Sequence, residues 1–194
     1  MLRKQLINPK PGKTSKNEIY KVIDQLGCIQ IDTINVIERA QYMTLWSRIG
    51  NYEKSYLDSL AYEDRQLFEH IAHAASYIPF KDYRYFIEAM NIRKPTIEAR
   101  FRKRAKQDPE ILQQVLKRVE NEGPLSSMDF EGPKNRGGWW NWKPAKIALE
   151  LLYGAGILLI VRRINFQKYY DLAENIIPQN IKNVYLYCYF FHIK

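Results

Sequence analysis

The chain has 194 residues, 46% of them hydrophobic and 13% aromatic, with a formal net charge of +9 and a pI near 9.4. That is enough apolar material for one large or two small domains with real cores, which excludes wholesale disorder. The basic balance points to a polyanion, nucleic acid first and an acidic membrane surface second, against the plain alternative of solubility charge.

Two cysteines, Cys28 and Cys188, lie far apart and form no CxxC pair, so neither a disulfide framework nor a zinc ribbon is expected. His70 and His73 read HIAH and lack the glutamate of an HExxH helix, so no metal site and no cofactor are expected. No run reaches the roughly 18–20 apolar residues of a membrane span. The most apolar run, LLYGAGILLIV, is too short and holds two glycines. No secretory signal opens MLRKQLINPKPGKTSK. A cytoplasmic, nucleoid-associated protein without membrane partners is the expectation.

NPKPGKTSK reads as a loop, with Ser15 capping a helix through IYKVIDQL. Ile19, Val22, Ile23 and Leu26 fall on one face of that helix, and Gly27 breaks it. A second helix is predicted over 32–41, capped by Asp32 or Thr33 with Glu38 in its body. LWSRIGNY ends on a Gly-Asn turn signal, and YLDSLAYEDRQLFEHIAHAAS resumes a helical period. Pro79 marks a boundary, after which KDYRYFIEAM reads as an amphipathic helix.

RKPTIEARFRKRAK holds seven Lys/Arg and one Glu: either a solvated helix face or a strip lying along phosphates. Asp108-Pro109 starts the helix EILQQVLKRVEN, which ends near Gly123. GPLSS is predicted as a helix start, with Ser126 or Ser127 as cap and Asp129 in the first turn. A glycine-rich loop fills 132–138. KPAKIALELLYGAG is the next helix, followed by two β-prone runs, ILLIVRR and FQKYYDL, around Ile164-Asn165. Helix, helix, hairpin is the order of a winged helix, and the outlines at 19–50 and 123–172 read as two copies of one module.

Trp139, Trp140 and Trp142 sit within four residues beside Lys143 and Lys146. Tryptophans at a helix head usually plug a core. Three so close cannot all face inward, because neighbours on a helix diverge by about 100°. An exposed one can stack on a base while a lysine neutralises phosphate. Arg162 and Arg163 lie on the expected wing strand, where successive residues point to opposite faces and one of the two can reach DNA.

Gln30 and Asp32 form a QxD pair. By spacing alone the aspartate is a helix cap and the glutamine incidental. The chemical alternative is N-glycosidic hydrolysis: a carboxylate stabilises an oxocarbenium-like sugar and takes a proton from water, and an amide orients that water.

The run LGCIQIDTINVIERAQYMTLWSRIGNY resembles the QxD region of the AlkZ/YcaQ-like winged-helix DNA glycosylases. FEHIAHAASYIP is similar to that family's E-x-x-A-H segment. GPLSSMDFEGPKNRGGWWNWKPAKIALELLYGAGILLIVRRINFQKYYDLAENIIP resembles its second winged-helix module. Three separated segments match in order, over about residues 3–178, and Asp32 is the residue of the YcaQ branch.

The resemblance implies a mainly α fold with short β-hairpins, built of tandem winged-helix modules around a concave basic surface. It implies a monofunctional DNA repair glycosylase that excises alkylated purines from double-stranded DNA and unhooks interstrand crosslinks. Gln30 and Asp32 would be the catalytic pair. His73 would line the lesion site, or else be a buried, hydrogen-bonded histidine. Arg39 and Arg48 are phosphate candidates by charge, with surface ion pairs as the alternative.

The expected organisation is a first module at 1–90, a basic helical connector at 91–122, a second module at 123–178 and a non-family tail at 179–194. The family's proteins carry a third domain, so a truncated, monomeric form is the expectation. A non-catalytic winged-helix regulator and an inactive remnant are the other readings.

Overall fold

A computed structural model describes residues 14–130 and 144–182. The chain divides into two compact units. One holds the described residues up to Tyr83 with those from Ile177, and the other those of Arg84–Ile176.

In the first unit, helix α1 (Lys16–Leu26) starts with a capping box. The Ser15 hydroxyl accepts from the Glu18 N–H, and the Glu18 carboxylate accepts from the Ser15 N–H. Such a cap contributes roughly 1 kcal/mol. Ile19, Val22 and Ile23 face inward, and Gly27 at φ 81° turns the chain out of the helix. Strand β1 (Ile29–Gln30) follows directly.

The helix expected over 32–41 does not form. Residues 31–39 are irregular, and α2 runs Ala40–Ile49 instead. Thr33, Ile34, Val36 and Ile37 are β-branched and stiff at χ1, and Asp32 bonds a nearby backbone N–H; both effects oppose helix.

The next expected helix stops halfway. Helix α3 (Ser55–Asp58) passes into a π turn (Ser59–Glu63), and the chain then forms a hairpin of β2 (Leu67–Ile71) and β3 (Ala75–Pro79). Leu67, Phe68, Glu69 and His70 are all buried, so LFEHI shows no alternation that would mark a strand. The sheet order is β1-β3-β2, all antiparallel. Phe68, Phe80 and Tyr83 close a ring cluster with centroids 5.0–5.7 Å apart. Helix, strand, helix, helix, hairpin is the element order of winged helices.

The second unit opens with α4 (Arg84–Arg93) and α5 (Ile97–Ala105). Along RKPTIEARFRKRAK, Ile97 and Phe101 are buried, while Lys94, Arg100, Arg102, Lys103, Arg104 and Lys106 are exposed. Helix α6 (Glu110–Glu122) follows Pro109 as its N-cap, with the Asp108 carboxylate before it accepting from the Glu110 N–H, and buries Leu112, Val115 and Val119. The stretch 91–122, expected as a connector, lies in this unit, where α6 packs on α7 (Pro144–Gly154) and β5 (Gln167–Leu172).

The predicted helix start at GPLSS is a tight turn. The Asp129 carboxylate accepts from the Ser126 N–H and hydroxyl, and the Ser126 hydroxyl accepts from the Met128 N–H. Helix α7 is apolar nearly all round, with seven buried residues, and packs under a hairpin of β4 (Leu158–Ile164) and β5. Its half-buried Glu150 accepts from Lys168 and the Tyr170 hydroxyl, both at 2.9 Å. Asn165 and Phe166, both at positive φ, turn the hairpin, and helix α8 (Ala173–Ile176) closes the unit. A mainly α fold with short β-hairpins is therefore what the chain adopts.

Candidate functional site

Gln30 lies on the open edge of the first sheet. It pairs with Ser76 of β3, which pairs with His70 of β2, so the three form one row on one face. The row runs from exposed to sealed: Gln30 is exposed, while Ser76 and His70 are at 0% and 1% exposure. The opposite face carries Ile29, Tyr77 and Glu69, all buried, with the Tyr62 hydroxyl donating to Glu69 and lying 3.2 Å from the Tyr77 hydroxyl. Burial and the neighbouring Glu69 push the Tyr62 phenol well above its ordinary value, so it stays a donor.

The ladder continues one step past β1, because the Ile31 N–H donates to the Ala75 carbonyl at 2.7 Å. Ile31 turns inward at 6% exposure, between the exposed Gln30 and the half-buried Asp32. Asp32 is half-buried and held at two points. Its N–H donates to the side-chain carbonyl of Gln41 at 3.0 Å, and its Oδ1 accepts from the Ile34 N–H at 2.9 Å. The second bond is an Asx turn, not the helix cap expected. Oδ2 has no hydrogen-bond partner among the described residues, nor does the Gln30 amide. An exposed amide and a half-buried carboxylate thus stand two residues apart, the second on a backbone pinned by Gln41 and Ile34. Such a pair can hold a water and accept its proton.

Gln41 is the residue that sequence reasoning missed. It is 1% exposed and sits one turn from Leu45 on the inward face of α2. A glutamine in an apolar stripe was the available signal, because a buried amide needs a partner.

His73 lies on the turn between β2 and β3, exposed, at the end of the hairpin that Asp32 comes level with. The buried histidine is His70. Arg39 is the residue before α2 and half-buried. Arg48, in the last turn of α2, folds back onto its own helix: Nη1 donates to the Thr44 carbonyl (2.8 Å) and Ser47 hydroxyl (3.1 Å). That is where a cation complements the helix dipole.

In the second unit Lys146 is half-buried in the first turn of α7. Arg162 is exposed and stacks on its cross-strand neighbour Tyr169 at 4.8 Å, while Arg163 is half-buried over Phe166 at 4.5 Å and donates to its carbonyl. The two arginines alternate as strand neighbours must, and Arg162 is the outward one. Trp139, Trp140, Trp142 and Lys143 lie outside the described residues.

The loop that leaves Asp32 ends at Glu38, on the rim of an open cavity of about 320 Å³. Tyr42, Met43 and Trp46 of α2 line it with Asn51 and Tyr52. The Lys54 ammonium pairs with Glu38 and sits 5.0 Å above the Tyr42 ring. That hydrogen bond holds the Glu38 carboxyl below its ordinary value. Burial raises the Tyr52 phenol, which donates to the Tyr42 carbonyl.

Among the described residues no group of His, Cys, Asp and Glu is placed to hold a metal ion, and no helix is long and apolar enough to cross a membrane. The family model described as DNA glycosylase AlkZ-like matches residues 23–185. No solved structure matches the chain.

Proposed function

The chain belongs to the AlkZ-like DNA glycosylase family, and from that premise we propose that it hydrolyses the N-glycosidic bond of alkylated purines in duplex DNA, with Gln30 and Asp32 as the catalytic pair. The supporting observation is the fixed carboxylate. Asp32 is clamped through its N–H by Gln41 and through Oδ1 by Ile34, while Oδ2 has no hydrogen-bond partner among the described residues.

In this reading Gln30 holds a water by donating to it, and Asp32 accepts the water's proton. The water oxygen bonds to the anomeric carbon as the glycosidic bond breaks, and the bond's electron pair leaves with the base. An N7- or N3-alkylated purine is cationic before cleavage, so it departs neutral and needs no proton from the protein. That fits a site whose nearest acid is already placed to act as base. As the sugar gains positive charge, a carboxylate held within the fold stabilises it without reorganising. The same chemistry applies to a purine that forms half of an interstrand crosslink, so unhooking is an extension of the one reaction.

A basic chain with winged-helix element order supplies the duplex-binding frame. Arg162, outward on the hairpin, is the proposed phosphate contact of the second unit, with Trp139, Trp140, Trp142, Lys143 and Lys146 near the head of α7 as further contacts. Arg39 and His73 flank the pair in the first unit. Arg48, turned onto its own helix, is a weaker contact.

The test is to incubate the protein with an N7-alkylguanine duplex and with a mustard-crosslinked duplex and to measure abasic sites. Release by the wild type and none by Asp32→Asn, with DNA affinity kept, is the expected result. Salt-sensitive binding with no release from any lesion would instead favour a non-catalytic DNA-binding protein.

A further inference from the structure

The loop Thr33–Ile37 presents an apolar surface that neither the core nor the proposed chemistry uses. Ile34, Val36 and Ile37 are 66%, 88% and 91% exposed, the last two the most exposed large hydrophobics of the described residues. Single exposed aliphatics are ordinary, but three within four residues are not.

The loop is also anchored at both ends. Asp32 is bonded to Ile34 and Gln41 at its start. At its finish the Glu38 carboxylate accepts from the Arg39 N–H at 3.0 Å and pairs with Lys54.

We propose that this loop is a wedge: when Asp32 reaches the sugar of a damaged nucleotide, Val36 and Ile37 insert into the base stack beside it. The proposal rests on the glycosylase reading and adds how the lesion is opened. The tether fixes the geometry. Four residues of chain reach at most about 14 Å, similar to the ~12 Å width of a major groove. A pose that brings Asp32 to an anomeric carbon therefore keeps this loop within about 14 Å of it.

The chemistry of the loop says which part of the duplex it meets. Thr33–Ile37 holds no lysine or arginine, so it has nothing to offer phosphates. Aliphatic side chains suit the apolar faces of bases, and apolar wedges between base steps are how proteins unstack and kink DNA. A damaged purine stacks less well than a normal one, so the step beside it is the cheapest to open.

The experiment uses a duplex with an abasic-site analogue and 2-aminopurine as its neighbour, whose fluorescence rises on unstacking. Wild type should raise the signal on binding, and so should Asp32→Asn, which keeps the loop. The double variant Val36→Ser/Ile37→Ser should lose the rise and bind this duplex about tenfold more weakly, while its affinity for an undamaged duplex stays within about twofold. Val36→Leu/Ile37→Leu should restore both. Both pairs of changes fall on exposed side chains, and thermal unfolding checks that the fold is kept.

A serine variant indistinguishable from wild type in signal and affinity overturns the wedge. So does a wild-type protein that excises alkylpurines without any fluorescence rise, and in that case the glycosylase reading stands. A rise that depends on Val36 and Ile37, with no base released from any lesion, supports the wedge and removes the glycosylase reading.

Discussion

Two regions of this molecule share a helix, a glycine at positive φ and a pairing two residues later, and differ in the turn that follows. Helix α1 ends at Gly27, φ 81°, and two residues later Ile29 pairs with Tyr77 of β3. Helix α6 ends at Gly123, φ 85°, and two residues later Leu125 pairs with Tyr170 of β5. In each unit the short pairing segment lies against the returning strand of a hairpin, and in each a tyrosine is its partner.

Aligned on these landmarks, Gln30 corresponds to Ser126 and Asp32 to Met128. Ser126 is sealed at 0% exposure and closes its own turn by accepting from the Met128 N–H. Gln30 is exposed, and the turn is closed instead by Asp32, which accepts from the Ile34 N–H. The same backbone device, a polar side chain bonding an N–H two residues on, sits two positions later in the first unit and carries a carboxylate. The landmarks are shared and the side chains placed on them are not, so a carboxylate stands in one unit where the other has a methionine.

That comparison can be broken most sharply at Asp32. Asp32→Asn should reduce base release by roughly 10²–10⁴-fold, the usual contribution of a positioned proton acceptor, with duplex affinity retained. Met128→Ala, its counterpart, should leave single-turnover excision unchanged. Equal losses in both variants would mean that the units do not divide the work in this way.

The next effect is in the supports. Gln41→Ala removes the partner of the Asp32 N–H and should lower stability by roughly 1–3 kcal/mol in urea unfolding, together with a fall in kcat. Ser126→Ala, which strips the corresponding turn, should cost a similar roughly 1–3 kcal/mol and leave kcat as it was. Tyr62→Phe tests the buried side of the first sheet. Without the Tyr62 donor, Glu69 loses a hydrogen bond at 1% exposure, and a loss of about 1–3 kcal/mol in urea unfolding is expected.

The smallest effect is electrostatic. Lys54 holds the Glu38 carboxyl low in the folded state. A lowered carboxyl pKa stabilises the fold above the unfolded group's titration and loses that stabilisation as pH falls through the folded value. Lys54→Ala should move the Glu38 midpoint up, part of the way to the ordinary carboxylate range because the Arg39 N–H bond remains, followed by the side-chain carboxyl shift in an NMR titration. The second unit supplies the parallel case. The Arg118 guanidinium lowers Glu122 through a bidentate pair at 2.6 and 2.7 Å, and Arg118→Ala should release it in the same direction.

Much of the frame was legible because its signals are local. Ser15 with Glu18, the apolar stripe of α1, Asp108 before α6, and the two β-prone runs that became β4 and β5 each lie within a few residues of the structure they specify. The misreadings have two causes. LFEHI is buried on both faces, so its apolar run carries no period, and only pairing with ASYIP makes it a strand. TINVI looks like part of a helix until the Asx turn at Asp32 and the stiff side chains after it are taken together. At the site, Gln30 and Asp32 were named by resemblance. That Asp32 is anchored by Gln41, nine positions away, could not be read from spacing, because hydrogen bonds between elements leave no periodic mark.

Read alone, the amino-acid order is sufficient to locate α1, α6 and α7, the basic charge, and an amide and an acid two residues apart at Gln30 and Asp32. The tertiary structure alone decided that the pair sits on an open sheet edge, that Gln41 clamps it from the next helix, and that Ile34, Val36 and Ile37 are left facing solvent. The physical reason is range. Caps and helical stripes are set by neighbours within a turn or two, whereas exposure and anchoring depend on which distant elements pack together.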